Sequence, residues 1–232
     1  MRQLPLGVQL GVSLRFDTYH AGANGEAVAA LGELAGGARA APLWLFGPGG
    51  SGKSHLLQAA CAHATSSGQT ATWLPLRTAR EEGPALLAGF ERLDLVALDD
   101  VDAIAGDAGW ERALFTFYNE LVERQGRLAA AAAAAPAAIP FRLPDLASRL
   151  AAARVHRLIP LDETDQADAL RRRAAYRGLE LPEETLVFLT RRAPRDFAAL
   201  CRLLDELDLE SLAARRRLTV PFVRDWLSRE RD

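Results

Sequence analysis

Apolar and polar residues up to Pro160 follow a pattern typical of strands that alternate with helices. Short apolar runs that suit buried strands are followed by longer stretches with a helical period. The predicted strands are 42–46, 71–76 and 93–98, and the predicted helices are 27–34, 54–65 and 110–121. The last of these helices has an apolar side chain every three or four residues. This alternation predicts an α/β fold with a parallel sheet and helices on its faces.

The alanine-rich stretch 128–139 is compatible with two kinds of element. Its sequence, LAAAAAAAPAAI, has a high intrinsic helix propensity, but the alternation of elements calls for a strand at this position. We predict a strand, because tertiary context commonly overrides intrinsic propensity at a buried position.

The pattern changes after Pro160, where four segments with a helical period follow and no strand is evident. These helices are predicted at 162–177, 182–192, 195–210 and 221–231. We therefore predict three parts: an extended segment at 1–15, an α/β unit at 16–160 and a small all-helical unit at 161–232.

The single lysine of the chain lies in a glycine-rich loop between a predicted strand and a predicted helix. The loop consists of Gly47, Pro48, Gly49, Gly50, Ser51, Gly52, Lys53 and Ser54. It fits the phosphate-loop pattern G-x-x-x-x-G-K-[ST], in which glycines let backbone N–H groups face a phosphate at a helix N-terminus. In this pattern Lys53 reaches the β and γ phosphates and Ser54 ligates Mg²⁺.

The same residues are compatible with two alternatives to a phosphate loop. The glycines also match the dinucleotide pattern G-x-G-x-x-G, but that site needs an acid about 20 residues further on, and residues 66–70 contain none. A glycine-rich turn without a ligand is the other alternative. The flanking strand and helix favour the phosphate loop over both.

An apolar run, 95–98, ends in the acidic pair Asp99 and Asp100. In a phosphate-loop protein the first acid holds Mg²⁺ through water, and the second orients or deprotonates an attacking water. Acids that only cap a loop are the alternative. The presence of Lys53 upstream favours the magnesium site.

Composition and charge narrow the classes of partner. The chain has 27 arginines and a net charge of −2, so no global positive field attracts nucleic acid or anionic lipid. Arginine clusters at 171–173, 191–192 and 215–217 have acidic neighbours, so we expect solvated helix faces and no strong direct DNA binding. Cys61 and Cys201 lie far apart among residues with a helical pattern, so both are expected to be buried, reduced thiols. No apolar run reaches about 18 residues and no signal peptide is evident, which predicts a cytoplasmic protein without membrane contact.

Longer stretches resemble the DnaA-like branch of the AAA+ ATPases, and within it the family of Hda-type regulators that inactivate the bacterial initiator DnaA. The resemblance rests on QLPL at 3–6, GKSHLLQAACA at 52–62, LDDVDAIAGDAGWERALFTFYN at 98–119, LPDLASRL at 143–150 and LTVPFVRDWL at 218–227. It covers nearly the whole chain. It implies an AAA+ phosphate-loop domain followed by a helical lid domain, with ADP or ATP and Mg²⁺ as cofactors.

The resemblance also implies roles for residues outside the loop. Arg149 matches the arginine finger that such proteins present to the γ-phosphate bound by a neighbouring subunit. Spacing alone would favour a solvated helix arginine, which is common in a chain with 27 arginines. Arg195 matches the sensor II arginine of the lid. Phe16 and Tyr19 lie in a segment that resembles the one beside adenine, and His55 follows the loop among the expected nucleotide-binding residues.

The N-terminal QLPL resembles the peptide by which such regulators dock on the DNA polymerase sliding clamp. Gln3 offers hydrogen bonds, and Leu4 and Leu6 offer apolar anchors. An ordinary strand edge or a frayed tail is the alternative. With the family resemblance, we expect clamp docking.

One departure from the family pattern lies in the alanine-rich stretch. The strand after Asp99 and Asp100 usually ends in a polar residue that senses the γ-phosphate, whereas residues 131–135 here are all alanine. We therefore expect weak intrinsic hydrolysis and a mainly structural nucleotide, with ADP favoured.

The implied function is the negative regulation of replication initiation. A nucleotide-bound, clamp-docked protein would stimulate hydrolysis of DnaA-bound ATP through Arg149. The alternatives are a helicase-loader-like ATPase that acts through its own ATP and Asp100, and a small-molecule phosphotransferase. The sequence is compatible with both a monomer and a homodimer.

Overall fold

The computed structural model describes residues 14–192, 197–214 and 216–229. Its first compact unit ends at Ile159 and its second begins at Pro160. The strands of the first unit are β1 (Leu43–Phe46), β2 (Ala71–Pro75), β3 (Leu95–Asp99), β4 (Arg127–Ala132) and β5 (Arg154–Arg157). Its helices are α1 (Gly25–Ala35), α2 (Lys53–Ser66), α3 (Leu76–Ala79), α4 (Ala108–Glu123) and α5 (Pro144–Ala151). Short 3₁₀ turns connect several of these elements.

The five strands form one sheet in the order β2-β3-β4-β1-β5, and every pair is parallel. The α/β prediction is confirmed, and so is the strand in the alanine-rich stretch. Because β1, β4 and β3 run parallel, the loop after β1 and the acids at the end of β3 emerge at the same edge of the sheet, with β4 between them. That edge is where ligands bind in open parallel sheets.

Two apolar clusters cover the two faces of the sheet. Leu31 of α1 and Leu57 of α2 pack on one face, while Leu114 of α4 and Leu146 of α5 pack on the other. The alanines of β4 alternate between the two clusters and are buried throughout. Small apolar side chains on both faces suit a central strand sandwiched between helices, which explains why tertiary context overrides their helix propensity.

The fifth strand, β5, was not predicted. Its sequence is RVHR, and most of its residues are exposed, so it lacks the apolar run that marks the other strands. It pairs only with β1, at the edge of the sheet. Charged side chains are typical of edge strands, because they discourage pairing with another chain.

The second unit contains helices and, among its described residues, no strand, as predicted. Its helices are α6 (Glu163–Tyr176), α7 (Glu183–Arg192), α8 (Phe197–Ala214) and α9 (Val220–Arg229). Leu170, Leu186 and Leu204 lie in its core. Ion pairs join α6 and the residue that follows it to α8. Arg173 donates to both oxygens of Asp205 at 2.9 and 2.6 Å, and Arg177 donates to Asp208 at 2.7 Å and lies 3.3 Å from Asp205.

Both cysteines are free thiols, as predicted, but only Cys61 is buried. Cys201 is partly exposed, so the prediction of a buried thiol was wrong for it. Cys61 lies in α2, where its thiol donates to the carbonyl of Thr72 at 3.2 Å. Burial raises the pKa of Cys61 to about 12. In the part of the chain that the structure describes, no helix is both long enough and apolar enough to cross a membrane.

One buried arginine at the start of β4 ties several elements of the first unit together. Arg127 is 9 % exposed, and its Nε donates to the backbone carbonyl of Asp94 at 3.0 Å. Its Nη1 donates to the carbonyls of Leu34 and Ala35, and its Nη2 donates to Gln69. Since Leu34 and Ala35 end α1, the guanidinium caps that helix with positive charge at its C-terminus.

Replacing Arg127 by alanine is expected to lower the free energy of unfolding by about 3 kcal/mol, because several buried carbonyls lose their donor. Chemical denaturation followed by circular dichroism measures the change. Arg124→Ala, at the exposed position just after α4, is the control and should lower the free energy of unfolding by less than about 0.5 kcal/mol. Equal effects of the two substitutions would contradict the capping role.

Candidate functional site

The glycine-rich loop connects the end of β1 to the start of α2, and its backbone needs glycine at defined points. Gly52 has a φ of +90°, in the left-handed region, and a Cβ there would lie 2.6 Å from Cε2 of Tyr19. A Cβ on Gly47 would lie 2.6 Å from the carbonyl oxygen of Leu158. The loop is therefore wrapped tightly between neighbouring segments, with its residues leading into the N-terminus of a 14-residue helix.

A buried hydroxyl in this loop has no partner. Ser51 is 4 % exposed, and its Oγ accepts or donates no hydrogen bond among the residues that the structure describes. Buried hydroxyls are nearly always hydrogen-bonded in folded proteins. An unsatisfied donor in a glycine cradle at a helix N-terminus fits a phosphate oxygen, which accepts hydrogen bonds and is attracted to the positive end of the helix.

The lysine ammonium lies within the loop. Lys53 Nζ donates to the carbonyl of Gly47 at 2.7 Å and to that of Pro48 at 2.9 Å. Burial lowers the pKa of Lys53, and the nearby carboxylates, foremost Asp99 and Asp100, oppose that shift. The cation is thus held between the loop backbone and the acidic pair that ends β3.

The two predicted magnesium ligands are neighbours. Asp99 is 3 % exposed at the end of β3. Burial raises the pKa of Asp99, and the nearby Ser54 hydroxyl partly offsets that rise. A hydroxyl beside a buried carboxylate provides the oxygen ligands that Mg²⁺ prefers.

The second acid of the pair is engaged by an arginine that sequence analysis missed. Arg77 Nε donates to Oδ2 of Asp100 at 3.0 Å, and Nη2 of Arg77 lies 3.8 Å from Oδ2 of Asp102. Asp102 in turn accepts from the backbone N–H of Ala133, just after β4, at 3.2 Å. Arg77 follows β2, and only the pairing of β2 with β3 brings it to the acids.

A segment before α1 lies across the start of α2. The hydroxyl of Tyr19 donates to the carbonyl of Ser51 at 3.4 Å, and its ring meets the His55 ring edge-on, with centroids 5.3 Å apart. The Phe16 ring contacts the ring of His63, which lies about two helical turns beyond His55 on α2, with 5.8 Å between the centroids. The structure therefore brings Tyr19 and His55 together beside the loop, whereas Phe16 packs further along α2.

Asn24 fixes this segment and was also missed by sequence analysis. Its Nδ2 donates to the Tyr19 hydroxyl at 3.2 Å and to the carbonyl of Ile159 at 2.9 Å. Its Oδ1 accepts from the backbone N–H of Ile159 at 2.8 Å. No local sequence pattern indicates this role, since the partners are 5 and 135 positions away.

Arg149 lies on α5, a different element from the glycine-rich loop between β1 and α2. It is exposed on α5, while Leu146 and Leu150 of the same helix are buried. Among the described residues, it forms no hydrogen bond or ion pair. On α4, burial raises the pKa of Tyr118, and the nearby charge of Arg149 partly offsets that rise.

Several predicted site residues lie outside the described part of the chain. They are Gln3, Leu4, Leu6 and Arg195. Their roles stay predictions from the sequence.

A parallel sheet with a phosphate loop after β1, an acidic pair after β3 and a helical unit after β5 defines the AAA+ class of phosphate-loop proteins. The model of the bacterial DnaA ATPase domain family matches residues 10–156. The chain belongs to this family. The model of the Hda lid domain matches residues 162–227, so the chain is a DnaA-related AAA+ protein of replication initiation with an Hda-type lid.

Solved structures share the fold. Domain III of DnaA from Thermotoga maritima is 22 % identical with a TM-score of 0.77, and the match covers 93 % of this chain and 95 % of that one. AMPPCP-bound DnaA from Aquifex aeolicus is 21 % identical, with a TM-score of 0.66 and coverage of 87 % and 67 %. The Holliday junction branch migration motor RuvB from T. maritima is 16 % identical, with a TM-score of 0.61 and coverage of 91 % and 72 %. At these identities the likeness concerns the fold.

Proposed function

We propose that this chain is an Hda-type regulator of replication initiation. It binds an adenine nucleotide, docks on the sliding clamp and stimulates the hydrolysis of ATP bound to DnaA by supplying Arg149. The observation that carries the proposal is an exposed arginine on a helix whose other face is packed in the core. This arginine has no hydrogen bond or ion pair among the residues that the structure describes. Comparing ATP hydrolysis on DnaA in the presence of the wild type and of an Arg149 variant tests it.

The nucleotide would be held by the loop residues, with Ser51 and Lys53 as donors to phosphate oxygens. Ser54 and Asp99 would hold Mg²⁺, whose remaining ligands are phosphate oxygens and water. By the family resemblance, Phe16, Tyr19 and His55 would contact the base. Tyr19 and His55 are next to the loop, whereas Phe16 packs on His63 further along α2. Arg195 remains the predicted contact from the lid. When bound, Mg²⁺ would neutralise part of the negative charge of the nucleotide phosphates at the loop. The bound nucleotide would also stabilise the folded regulator, because a ligand that binds only the folded state raises the free energy of unfolding.

Arg149 would act on the phosphates of the partner's ATP. A guanidinium presents planar, bidentate donors to phosphoryl oxygens and keeps its charge at all relevant pH values. Because Arg149 has no ion pair to break among the described residues, it can engage a partner without losing an internal contact. Its charge would stabilise the transition state, an effect that is typically about 10³–10⁵-fold in rate.

The isolated protein is expected to hydrolyse ATP slowly, at about 10⁻³ s⁻¹ or less, the range of phosphate-loop proteins without an arginine finger. Arg77 engages Asp100, and β4 ends in alanine where a polar sensor is usual. A multiple-turnover phosphate-release assay gives the rate, and Asp100→Asn should change it little.

Fast turnover that depends on Asp100 would instead support the second candidate, a helicase-loader-like ATPase that acts through its own ATP. The intact set of Lys53, Ser54, Asp99 and Asp100 is the observation that keeps this candidate. A small-molecule phosphotransferase ranks last, since it predicts a substrate lid inserted within the sheet unit. Here the helical unit begins after β5.

Replacing both Gln3 and Leu6 by alanine is expected to weaken clamp binding by about 100-fold or more, because a short docking peptide concentrates its affinity in a few anchors. Surface plasmon resonance with immobilised clamp measures the affinity. Gln9→Ala is the matched control and should bind normally, and all proteins should keep their ADP affinity. Unchanged clamp affinity of the double variant would leave the N-terminus without its proposed role.

A further inference from the structure

A carboxylate with no assigned role is completely buried at the start of α4. Glu111 is 0 % exposed, and both of its oxygens accept hydrogen bonds from backbone N–H groups. Oε1 accepts from Gly106 at 2.7 Å and from Arg142 at 3.1 Å. Oε2 accepts from Arg142 at 2.8 Å and from Leu143 at 2.7 Å. One side chain therefore joins the loop before α4 to the segment that leads into α5.

This contact fixes the point where α5 begins. Leu143 is the N-cap residue of α5, and its side chain cannot accept a hydrogen bond from the first turn. Pro144 follows as the first helical residue and lacks an N–H of its own. At the start of α5, the backbone N–H groups of Arg142 and Leu143 donate to the Glu111 carboxylate, while the carbonyl of Leu143 accepts from the N–H of Ala147 within the helix.

The same face of α4 continues toward Arg149. Tyr118 is seven residues, or about two helical turns, beyond Glu111, so both lie on one side of α4. Tyr118 is close enough to Arg149 for the guanidinium charge to lower the pKa of its phenol, against the rise that burial causes. Leu146 and Leu150 hold α5 in the core along its length. α4 therefore bonds the segment that leads into α5 through Glu111, while the buried leucines pack α5 along its length.

The geometry gives the contact a measurable consequence. Arg149 is the sixth residue of α5, so its guanidinium lies roughly 12 Å from the start of the helix when the side chain is extended. A tilt of about 10° at the start would move it by roughly 2 Å. Displacements of about 1 Å at a reacting group can reduce rates by about 100-fold.

We propose that Glu111 is a positioning residue that sets the direction of α5. It thereby places the Arg149 guanidinium where it can stabilise negative charge on the phosphates of a partner's ATP. The inference rests on the proposed function of Arg149. It differs from a general role in stability, because it requires loss of rate without loss of partner binding.

The experiment measures stimulated hydrolysis of DnaA-bound ATP, with clamp present, over a range of concentrations of the full-length protein. Wild type, Arg149→Ala, Glu111→Gln and Asp107→Ala are compared at equal active concentration, set by ADP binding. Gln keeps the size of Glu111 but presents an NH₂ group to the backbone N–H groups. Asp107 caps α4 through Gly109 and Trp110 and does not touch the segment before α5, so it controls for weakening of α4.

We expect Glu111→Gln to lower the maximal stimulated rate about tenfold or more, with the half-saturating concentration changed less than about twofold. Asp107→Ala should keep both values within about twofold of the wild type. If Glu111→Gln does not fold, Glu111→Asp takes its place, since the shorter side chain keeps the charge but loses its reach to Leu143. The maximal rate should again fall.

Two results would overturn the inference while the function of Arg149 stands: a normal maximal rate for the Glu111 variant when Arg149→Ala is inactive, or an equal loss of rate for Asp107→Ala. Full stimulation by Arg149→Ala would instead overturn the proposed function itself. The Arg149 variant thus separates the two failures.

Discussion

Replacing Arg149 by alanine is expected to slow the stimulated hydrolysis of DnaA-bound ATP by about a thousandfold or more, the usual contribution of an arginine finger. Alanine removes the charge and the bidentate donors but leaves the buried face of α5 intact, because Leu146 and Leu150 carry its packing. ADP binding and clamp binding should be unchanged. Rates are measured as conversion of labelled ATP on DnaA.

Two further variants define what the arginine contributes. Arg172→Ala removes one exposed arginine from α6 of the helical unit and should leave stimulation within about twofold, since exposed charges contribute little. Arg149→Lys keeps a positive charge but loses the planar fork, and it should remain strongly impaired. Full activity of Arg149→Ala, or an equal loss with Arg172→Ala, would contradict a specific finger.

Replacing Lys53 by alanine should weaken ADP binding by about 100-fold or more, because truncating one partner of a desolvated charge pair usually costs about 2–5 kcal/mol. In the free protein its ammonium is bonded to the carbonyls of Gly47 and Pro48, in the loop that would wrap the phosphates. Isothermal titration calorimetry with ADP and Mg²⁺ gives the affinity.

Lys53→Arg is the matched control for charge. The bulkier, planar guanidinium should not fit the point-charge position in the tight loop, so its ADP affinity should also fall by about tenfold or more. A second readout is thermal unfolding, since saturating ADP should raise the midpoint of the wild type and have little effect on Lys53→Ala. Wild-type ADP affinity in the alanine variant would contradict phosphate binding by this loop.

The sequence predicts an element or a site where local pattern and element order agree. The phosphate loop around Lys53 is predicted because the glycine spacing, the preceding strand and the following helix all indicate the same kind of site. A strand within 128–139 is predicted against its helix propensity, because the alternation of elements constrains a buried segment more than propensity does, and the structure has a strand at Arg127–Ala132.

The residues that were missed act over long sequence separations. Arg77 reaches Asp100 only through strand pairing, and Asn24 bonds a backbone 135 positions away. Glu111 bonds a segment 31 and 32 positions further on. The edge strand β5 was missed because its charged, exposed residues lack an apolar pattern. Such contacts produce no local pattern of residues, so they cannot be predicted from a single sequence.

The most direct measurement of the central claim identifies whose ATP is consumed. This protein is loaded with ADP, DnaA is loaded with radiolabelled ATP, and a single turnover is followed in the presence of clamp. We predict that the label on DnaA is converted to ADP at a rate that depends on Arg149, with no ATP on the regulator. Stimulation that requires ATP on this chain, or that persists without Arg149, would contradict the account.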